Sequence, residues 1–304
     1  MQKAYINSLY KLLQKDKNVI SCLSDSGTDY DEMIAREFPT QVINFGISEN
    51  NKVAAAAGLA SCGKIPFVYT TSAFLVYRSY EFIRDDICLQ NYNVKLIGMG
   101  SGLSWSTLGP THHTTEDIAL LYQLPNLTIL SPCSPKELEQ CIDYAYNHIG
   151  PVYVRMGMSN EKEIYDENYK FIFGKNNLIK EGKDISIYVT GSIINEVIEA
   201  SNKLESDGFS IKIVNVATIK PFDKNSIINE KNKYIVTVEE QNILGGIGSI
   251  IGNIIAENNL DIKLYKIGLN DSFAKGYGTY KEMLKMNNLD GDSIYNIINS
   301  ILSQ

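Results

Sequence analysis

The chain has 304 residues, of which 44 % are hydrophobic and 21 % charged, as is ordinary for a globular protein. Its formal net charge of −7 provides no basic field to displace counterions, which argues against nucleic acid or an anionic membrane surface as the main partner. The length suffices for two ordinary domains.

Helical and strand periodicities alternate through the first half of the chain. Helices are predicted at 3–14, 30–37, 48–62, 78–90, 116–122 and 135–147. Strands are predicted at 18–23, 42–45, 66–69, 94–97, 127–130 and 152–154. This alternation predicts a mostly parallel sheet covered by helices on both faces, in a first domain at 1–160.

A second, smaller α/β unit follows a stretch without periodicity. Residues 161–182 are rich in Asn, Lys, Glu and Tyr, and we predict that they form a linker. Strands are predicted at 184–190, 210–216, 234–238 and 262–266, and helices at 193–206, 223–229, 247–257, 277–286 and 292–302. The predicted fold class is α/β, with two three-layer domains of mostly parallel sheet, the second at 183–304.

The cysteines and the N-terminus bear on the cellular compartment. Five scattered cysteines without a CxxC pair are typical of free thiols in a reducing compartment, not of disulfides or a zinc site. The first six residues, Met1-Gln-Lys-Ala-Tyr-Ile, lack the apolar core of a signal peptide, and no apolar run is long enough to span a bilayer. We therefore expect a cytoplasmic protein with no metal site of its own.

The stretch 46–63 combines an acid with a helix of small residues. Ser48 suits the N-cap, and Glu49 in the first turn suits the helix dipole. Ligands of open α/β sheets bind just beyond strand ends, so Glu49 is a candidate site residue. The alternative is a packing helix with an incidental acid, and these residues alone favour that alternative.

Two further groups could carry chemistry. His112 and His113 lie in a loop after the strand at 94–97, where an imidazole could act as acid, base or hydroxyl ligand. They could equally be half-exposed residues beside a helix capped by a neighbouring threonine. Phe74, Tyr77 and Tyr80 are spaced three apart, which predicts either a core stripe or a flat pocket for a ring.

A glycine-rich segment, 244–249, is similar to a dinucleotide-binding motif because it follows a predicted strand and precedes a predicted helix. Read from Gly246, however, the third glycine position is occupied by Ile251. We interpret the segment as a tight turn where a helix N-terminus packs closely on its neighbours.

Together these motifs resemble the transketolase family of thiamine-diphosphate enzymes, over nearly the whole chain. Gly46-Ile-Ser-Glu49 with its Ala-rich helix is similar to the family's motif around the glutamate that contacts the cofactor's aminopyrimidine. Gly109-Pro110-Thr111-His112 is similar to the family's GPTH loop, whose histidine faces the substrate. The segments 124–135, 238–249 and 267–273 also resemble the family.

The resemblance implies roles for individual residues. Glu49 and His112 would be catalytic. The cofactor would be bound by Glu49, Ile47, Phe74, Tyr77, Tyr80 and Asp25. The substrate would be bound by His112, His113, Arg155 and Ser101, with Arg155 matching an arginine that binds substrate phosphate.

The resemblance covers only the second half of the family's usual architecture. The GDG motif and the later Asn that hold the diphosphate and its Mg²⁺ are absent from these residues. The resemblance therefore implies that thiamine diphosphate is shared with a partner chain, an N-terminal-half subunit that also holds the Mg²⁺. An α2β2 heterotetramer acting on a sugar or sugar phosphate is expected.

This sequence departs from the family at two substrate positions. Transketolases carry a second histidine near the place of Gly100 and an aspartate at that of Leu108. We therefore expect a substrate outside the common pentose phosphates, such as a modified or nucleotide-linked sugar. The alternatives are a subunit similar to deoxyxylulose-phosphate synthase, a beta-type subunit of a 2-oxo-acid dehydrogenase, and a non-catalytic scaffold.

Overall fold

Two β-sheets organise the chain in the computed structural model, which describes residues 1–24, 29–158 and 161–303. The strands of the first sheet are β1 (Val19–Leu23), β2 (Val42–Asn44), β3 (Ile65–Thr71), β4 (Lys95–Met99), β5 (Thr128–Leu130), β6 (Val152–Met156) and β10 (Thr218–Lys220). These seven strands lie in the order β10-β5-β6-β4-β3-β1-β2. All pair in parallel except β10, which is antiparallel to β5.

Helices cover both faces of this sheet. They are α1 (Gln2–Lys15), α2 (Asp29–Glu37), α3 (Glu49–Ser61), α4 (Phe74–Arg78, Ser79–Phe82 and Ile83–Cys88), α5 (Asp117–Tyr122) and α6 (Pro135–Asn147). Strands β1, β4 and β6 are buried at every position, as expected for central strands between two helical layers. The apolar residues of these strands form the core of the first unit.

The strands of the second sheet are β7 (Asn177–Lys180), β8 (Ile185–Val189), β9 (Ile211–Asn215), β11 (Tyr234–Asn242) and β12 (Lys263–Leu269). They lie in the order β12-β11-β8-β9-β7. The helices of this unit are α7 (Ile194–Ser206), α8 (Lys224–Ile228), α9 (Ile247–Glu257), α10 (Tyr280–Met286) and α11 (Gly291–Leu302). Only the edge strand β7 runs antiparallel in the described sheet. The predicted α/β fold class is confirmed.

Two short strands were missed by the sequence patterns. β7 lies within 161–182, the segment predicted as a linker, and pairs with β9. β10 follows β9 in the chain but joins the first sheet, so the chain returns to the first unit at this point. Three or four residues give too little alternation to identify a strand from sequence. The domain boundaries themselves stay a prediction.

Helix α4 also differs from its prediction at 78–90. It begins at Phe74, and its first and last parts, Phe74–Arg78 and Ile83–Cys88, are π-helical. A π-helical turn closes hydrogen bonds from i to i+5 and rotates the residues that follow relative to an α-helix. The face on which each aromatic residue lies therefore cannot be read from three-residue spacing.

The described residues contain no helix long and apolar enough to cross a membrane. All five cysteines are free, and four of them are buried; Cys62 is exposed.

Candidate active site

Glu49 is the first residue of α3, a short loop after the end of β2. Ser48 is the N-cap as predicted, but its side chain makes no capping hydrogen bond. The carboxylate of Glu49 is nearly buried, with 7 % of its side chain exposed, and Oε2 lies 3.1 Å from Nη1 of Arg78. The structure thus places a buried acid at the mouth of α3, with a cation beside it.

The small residues of α3 divide between two environments. Val53, Ala56 and Ala57 face the core. On the other side, Gly58 is exposed, and a Cβ atom built there would meet no described heavy atom within 4 Å. Ile47, just before the helix, is 79 % exposed. Ile47 is therefore open to contact from outside the chain, and its role in cofactor binding stays a prediction.

The three aromatic residues of α4 point to different places. Phe74 lies beside the acid, because its ring stacks under Arg78 with 3.8 Å between Cζ and the ring centroid. Tyr77 donates from its hydroxyl to Glu116 (2.5 Å), and Tyr80 donates to the carbonyl oxygen of Leu120 (3.2 Å). Of the predicted ring pocket, only Phe74 adjoins Glu49 through Arg78.

His112 adjoins Phe74, so that Glu49, Arg78, Phe74 and His112 form one row of contacting side chains. Its ring makes an edge contact with Phe74, with centroids 4.9 Å apart, and lies 6.3 Å from the ring of Trp105. Nδ1 is 3.0 Å from the Thr111 hydroxyl. Burial lowers the pKa of His112, and the positive charge of Arg78 lowers it further. A neutral imidazole at this place can donate or accept one proton near pH 7.

His113 has different neighbours from His112. It lines a separate cavity of about 480 Å³, which is bounded by Tyr77, Pro110, Thr111, His113, Thr115, Glu116, Ala119, Leu120, Phe273 and Ala274. It is 3 % exposed, and neither ring nitrogen makes a hydrogen bond within the described residues. Burial and the neighbouring His112 lower its pKa. The two adjacent histidines therefore have different surroundings: His112 contacts Phe74, and His113 lines the cavity.

Ser101 and Arg155 are engaged inside the protein. The Ser101 hydroxyl donates to the carbonyl oxygen of Met156 (3.2 Å) and lies 3.2 Å from that of Ser72. Arg155 is 3 % exposed, and its Nε lies 3.1 Å from Asp117 Oδ2. These polar groups have buried partners within the chain, and their predicted roles in substrate binding stay predictions.

Arg155 connects the two units. Its Nη2 donates to the carbonyl oxygens of Thr114 (3.5 Å) and Glu240 (3.3 Å), the latter on β11 of the second sheet. Gln241, also on β11, donates to Asp117. A buried arginine held by a carboxylate and two carbonyls is a structural centre at this junction.

The glycine-rich segment at 244–249 is confirmed as a packing turn. The Glu239 carboxylate accepts hydrogen bonds from the backbone nitrogens of Ile247 (2.8 Å) and Gly248 (3.0 Å), the first residues of α9. A Cβ atom at Gly246 would lie 2.1 Å from Glu239 Oε2. This helix N-terminus is already capped by an internal carboxyl group, so a phosphate has no place there.

Two further predictions concern ions and the loop after β1. Asp25, predicted to bind cofactor, lies outside the described residues. Among the described residues, no group of three or more His, Cys, Asp or Glu side chains is placed to hold a metal ion.

Comparison with known proteins places this geometry in a family. Residues 1–162 match the transketolase pyrimidine binding domain, and residues 174–294 match the transketolase C-terminal domain. Two such α/β domains in this order define the second part of a thiamine-diphosphate enzyme. The chain belongs to the transketolase family, as a subunit of the transferase type.

Some relatives are separate subunits of similar length, and others are longer chains. A subunit of the apulose-4-phosphate transketolase of Actinobacillus succinogenes is 38 % identical, over 88 % of this chain and 86 % of that protein. A structure described as "Split gene transketolase, inactive beta4 tetramer" superposes with a TM-score of 0.88 at 29 % identity, covering 99 % of this chain and 97 % of that one. The 1-deoxy-D-xylulose-5-phosphate synthase of Halothermothrix orenii is 34 % identical, over 88 % of this chain and 42 % of that enzyme.

Sequence reasoning missed Arg78 and Trp105 as members of the row. Arg78 stands four residues after Phe74, the spacing at which side chains meet on a helix, and this signal was available. The indole of Trp105 lies against Gly100, where a Cβ atom would be 2.2 Å from Nε1. No local pattern in the sequence joins those two residues.

Proposed function

We propose that this chain is the catalytic subunit of a two-chain transketolase that transfers a two-carbon ketol unit from a ketose to an aldehyde or keto sugar. The observation that carries the proposal is the row Glu49, Phe74 and His112, connected through Arg78. It places an acid, an aromatic face and a neutral imidazole side by side. A scaffold subunit would need none of these groups in this arrangement.

The residues present fit the aminopyrimidine of thiamine diphosphate. That ring needs a carboxylic acid at one nitrogen and an aromatic face, which Glu49 and Phe74 provide. When bound, the cofactor supplies the carbon nucleophile that attacks the ketose carbonyl. Glu49 holds or gives a proton at the pyrimidine nitrogen, and its near-complete burial keeps water away from that exchange.

His112 acts on the substrate. The ring of Phe74 contacts both His112 and Arg78. On another side, the centroid of the His112 ring lies 6.3 Å from that of Trp105. In its neutral form, His112 donates a hydrogen bond to the substrate oxygen on which negative charge develops. The lowered pKa keeps the imidazole neutral and therefore able to exchange a proton at that oxygen.

The second half of the site is proposed to come from a partner chain that holds the diphosphate and Mg²⁺. Two exposed positions support this: Ile47, two residues before Glu49, and Gly58, near the C-terminal end of α3. A Cβ atom built at Gly58 would meet nothing within 4 Å, so another chain can approach that part of the helix closely. An α2β2 assembly in the cytoplasm is part of the same proposal.

The substrate is proposed to lie outside the common pentose phosphates. Gly100 has φ +73° and is packed against Trp105, so this position cannot carry the family's second substrate histidine without rearrangement. Arg155 is engaged with Asp117 and does not offer a cation to a substrate phosphate. If xylulose 5-phosphate and ribose 5-phosphate were the best substrates of the pair, this part of the proposal would be wrong.

Reconstitution tests the function. The chain is combined with its candidate partner, thiamine diphosphate and Mg²⁺, and ketol transfer is followed with Glu49→Gln as the test variant and Glu81→Gln, a more exposed acid of α4, as control. We expect Glu49→Gln to abolish transfer and Glu81→Gln to retain it. Formation of 1-deoxy-D-xylulose 5-phosphate is followed in parallel, because the synthase relative keeps that alternative open.

A further inference from the structure

Arg78 makes two contacts at once within the half-site. Its Nη1 lies 3.1 Å from Glu49 Oε2, and its Cζ lies 3.8 Å from the centroid of the Phe74 ring. Guanidinium is planar, carries N–H donors, pairs with carboxylates and stacks on aromatic faces. Arg78 uses both properties on the two residues that the proposed function assigns to the cofactor ring.

An aminopyrimidine needs the same two partners. It is also planar, it also hydrogen-bonds a carboxylate through a nitrogen, and it also stacks on an aromatic face. A separation of 3.8 Å is van der Waals contact, so no second ring fits between the guanidinium and Phe74. On this face the two groups exclude one another.

The Glu49 carboxylate needs a partner while the cofactor is absent. A nearly buried charge without a partner is costly, and Arg78 supplies the opposite charge. When the ring arrives, its nitrogen becomes the hydrogen-bond partner of the carboxylate, and Arg78 can leave.

The two partners differ in exposure. The Glu49 side chain is 7 % exposed at the start of α3, whereas that of Arg78 is 48 % exposed at the end of a π-helical turn. Arg78 can therefore move into solvent without disturbing the core. We propose that Arg78 is an exchangeable counter-ion of Glu49, displaced by the aminopyrimidine when the cofactor binds. This inference rests on the proposed function.

The exchange reduces the apparent affinity for the cofactor. The ion pair is exposed only on its Arg78 side; together with the cation–π contact it contributes about 1–2 kcal/mol, and breaking both weakens binding by about tenfold. Replacement of Arg78 removes this competition, so that cofactor affinity rises while the isolated chain loses stability. A residue that merely contacted the cofactor would change affinity in the opposite direction.

Calorimetric titration of thiamine diphosphate with Mg²⁺ into the two-chain complex tests the exchange. The variants are Arg78→Ala and, to keep the aliphatic stem if that variant does not fold, Arg78→Met. Arg84→Ala is the matched control, because Arg84 lies on the same helix, is exposed and pairs with the adjacent Asp85. We expect Kd to fall about tenfold for the Arg78 variants and to stay unchanged for Arg84→Ala.

An unchanged or raised Kd for the Arg78 variants overturns the inference. If the wild-type complex itself does not bind thiamine diphosphate, the proposed function fails, and that result is distinct. Urea unfolding of the isolated chain provides a readout without cofactor. Arg78→Ala should lower the urea midpoint of the wild-type chain more than that of the Glu49→Gln chain, and equal shifts would contradict the pairing.

Discussion

The guanidinium of Arg155 and the carboxylate of Asp117 form a buried ion pair, with 3.1 Å between Nε and Oδ2. Asp117 begins α5, and Arg155 lies on β6, next to the carbonyl oxygen of Glu240 from the second sheet. The pair therefore stabilises the junction between the two units.

Replacement of Arg155 by Met should destabilise the chain by about 3–5 kcal/mol, because Asp117 is left as a buried charge without its arginine. Urea unfolding of the isolated chain measures this loss. The double variant Asp117→Leu/Arg155→Met should recover part of it. If the Arg155→Met variant kept wild-type stability but had a raised KM for a phosphorylated substrate, a role of Arg155 in substrate binding would be supported instead.

Gly100→Ala should destabilise the loop beside His112 and displace Trp105. Gly208→Ala is the matched control. Gly208 also has a positive φ, but a Cβ atom at that position would meet nothing within 4 Å. Backbone strain at either position costs about 1–2 kcal/mol. We expect the larger loss of stability at Gly100, together with a shifted emission of Trp105, the single tryptophan. Equal losses and unchanged emission would contradict the packing.

The stability of the chain should fall as pH rises from about 5 to about 8, in part through Glu239. Burial raises the pKa of Glu239 to about 7, against two opposing backbone hydrogen bonds. The folded state therefore keeps a proton that the unfolded chain releases at lower pH, and this contribution, up to about 3 kcal/mol, is lost as pH rises through the folded pKa.

Thermal unfolding at several pH values checks this sign. The Glu239→Gln variant has no carboxyl group to titrate at this position. The midpoint of its thermal unfolding should therefore depend less on pH than that of the wild type. A midpoint with the same slope in both proteins would show that Glu239 is not the group responsible.

The sequence predicted most elements because central strands are buried on both faces and so read as continuous apolar runs, as in Val19–Leu23. β10 escaped prediction because three residues show no period, and its pairing with β5 is a long-range contact. The structural contacts of Arg155 escaped prediction for a similar reason. Nothing local indicates that Asp117, 38 residues earlier, lies against it.

The candidate site was predicted in part. The Gly46–Glu49 motif placed the acid correctly at the start of α3, because strand ends and helix starts are marked by local residues. The aromatic residues did not share one face as predicted. The π-helical turn at Phe74–Arg78 directs Phe74 to Arg78 and Tyr77 to Glu116. Three-residue spacing presumes a regular α-helix.

The central claim is that Glu49 serves a cofactor that this chain holds only together with a partner. Calorimetric titration of thiamine diphosphate with Mg²⁺ into the chain alone, and into the chain combined with its candidate partner, tests it most directly. We predict tight binding by the complex and no measurable binding by the isolated chain. Equally tight binding by the isolated chain would contradict the account.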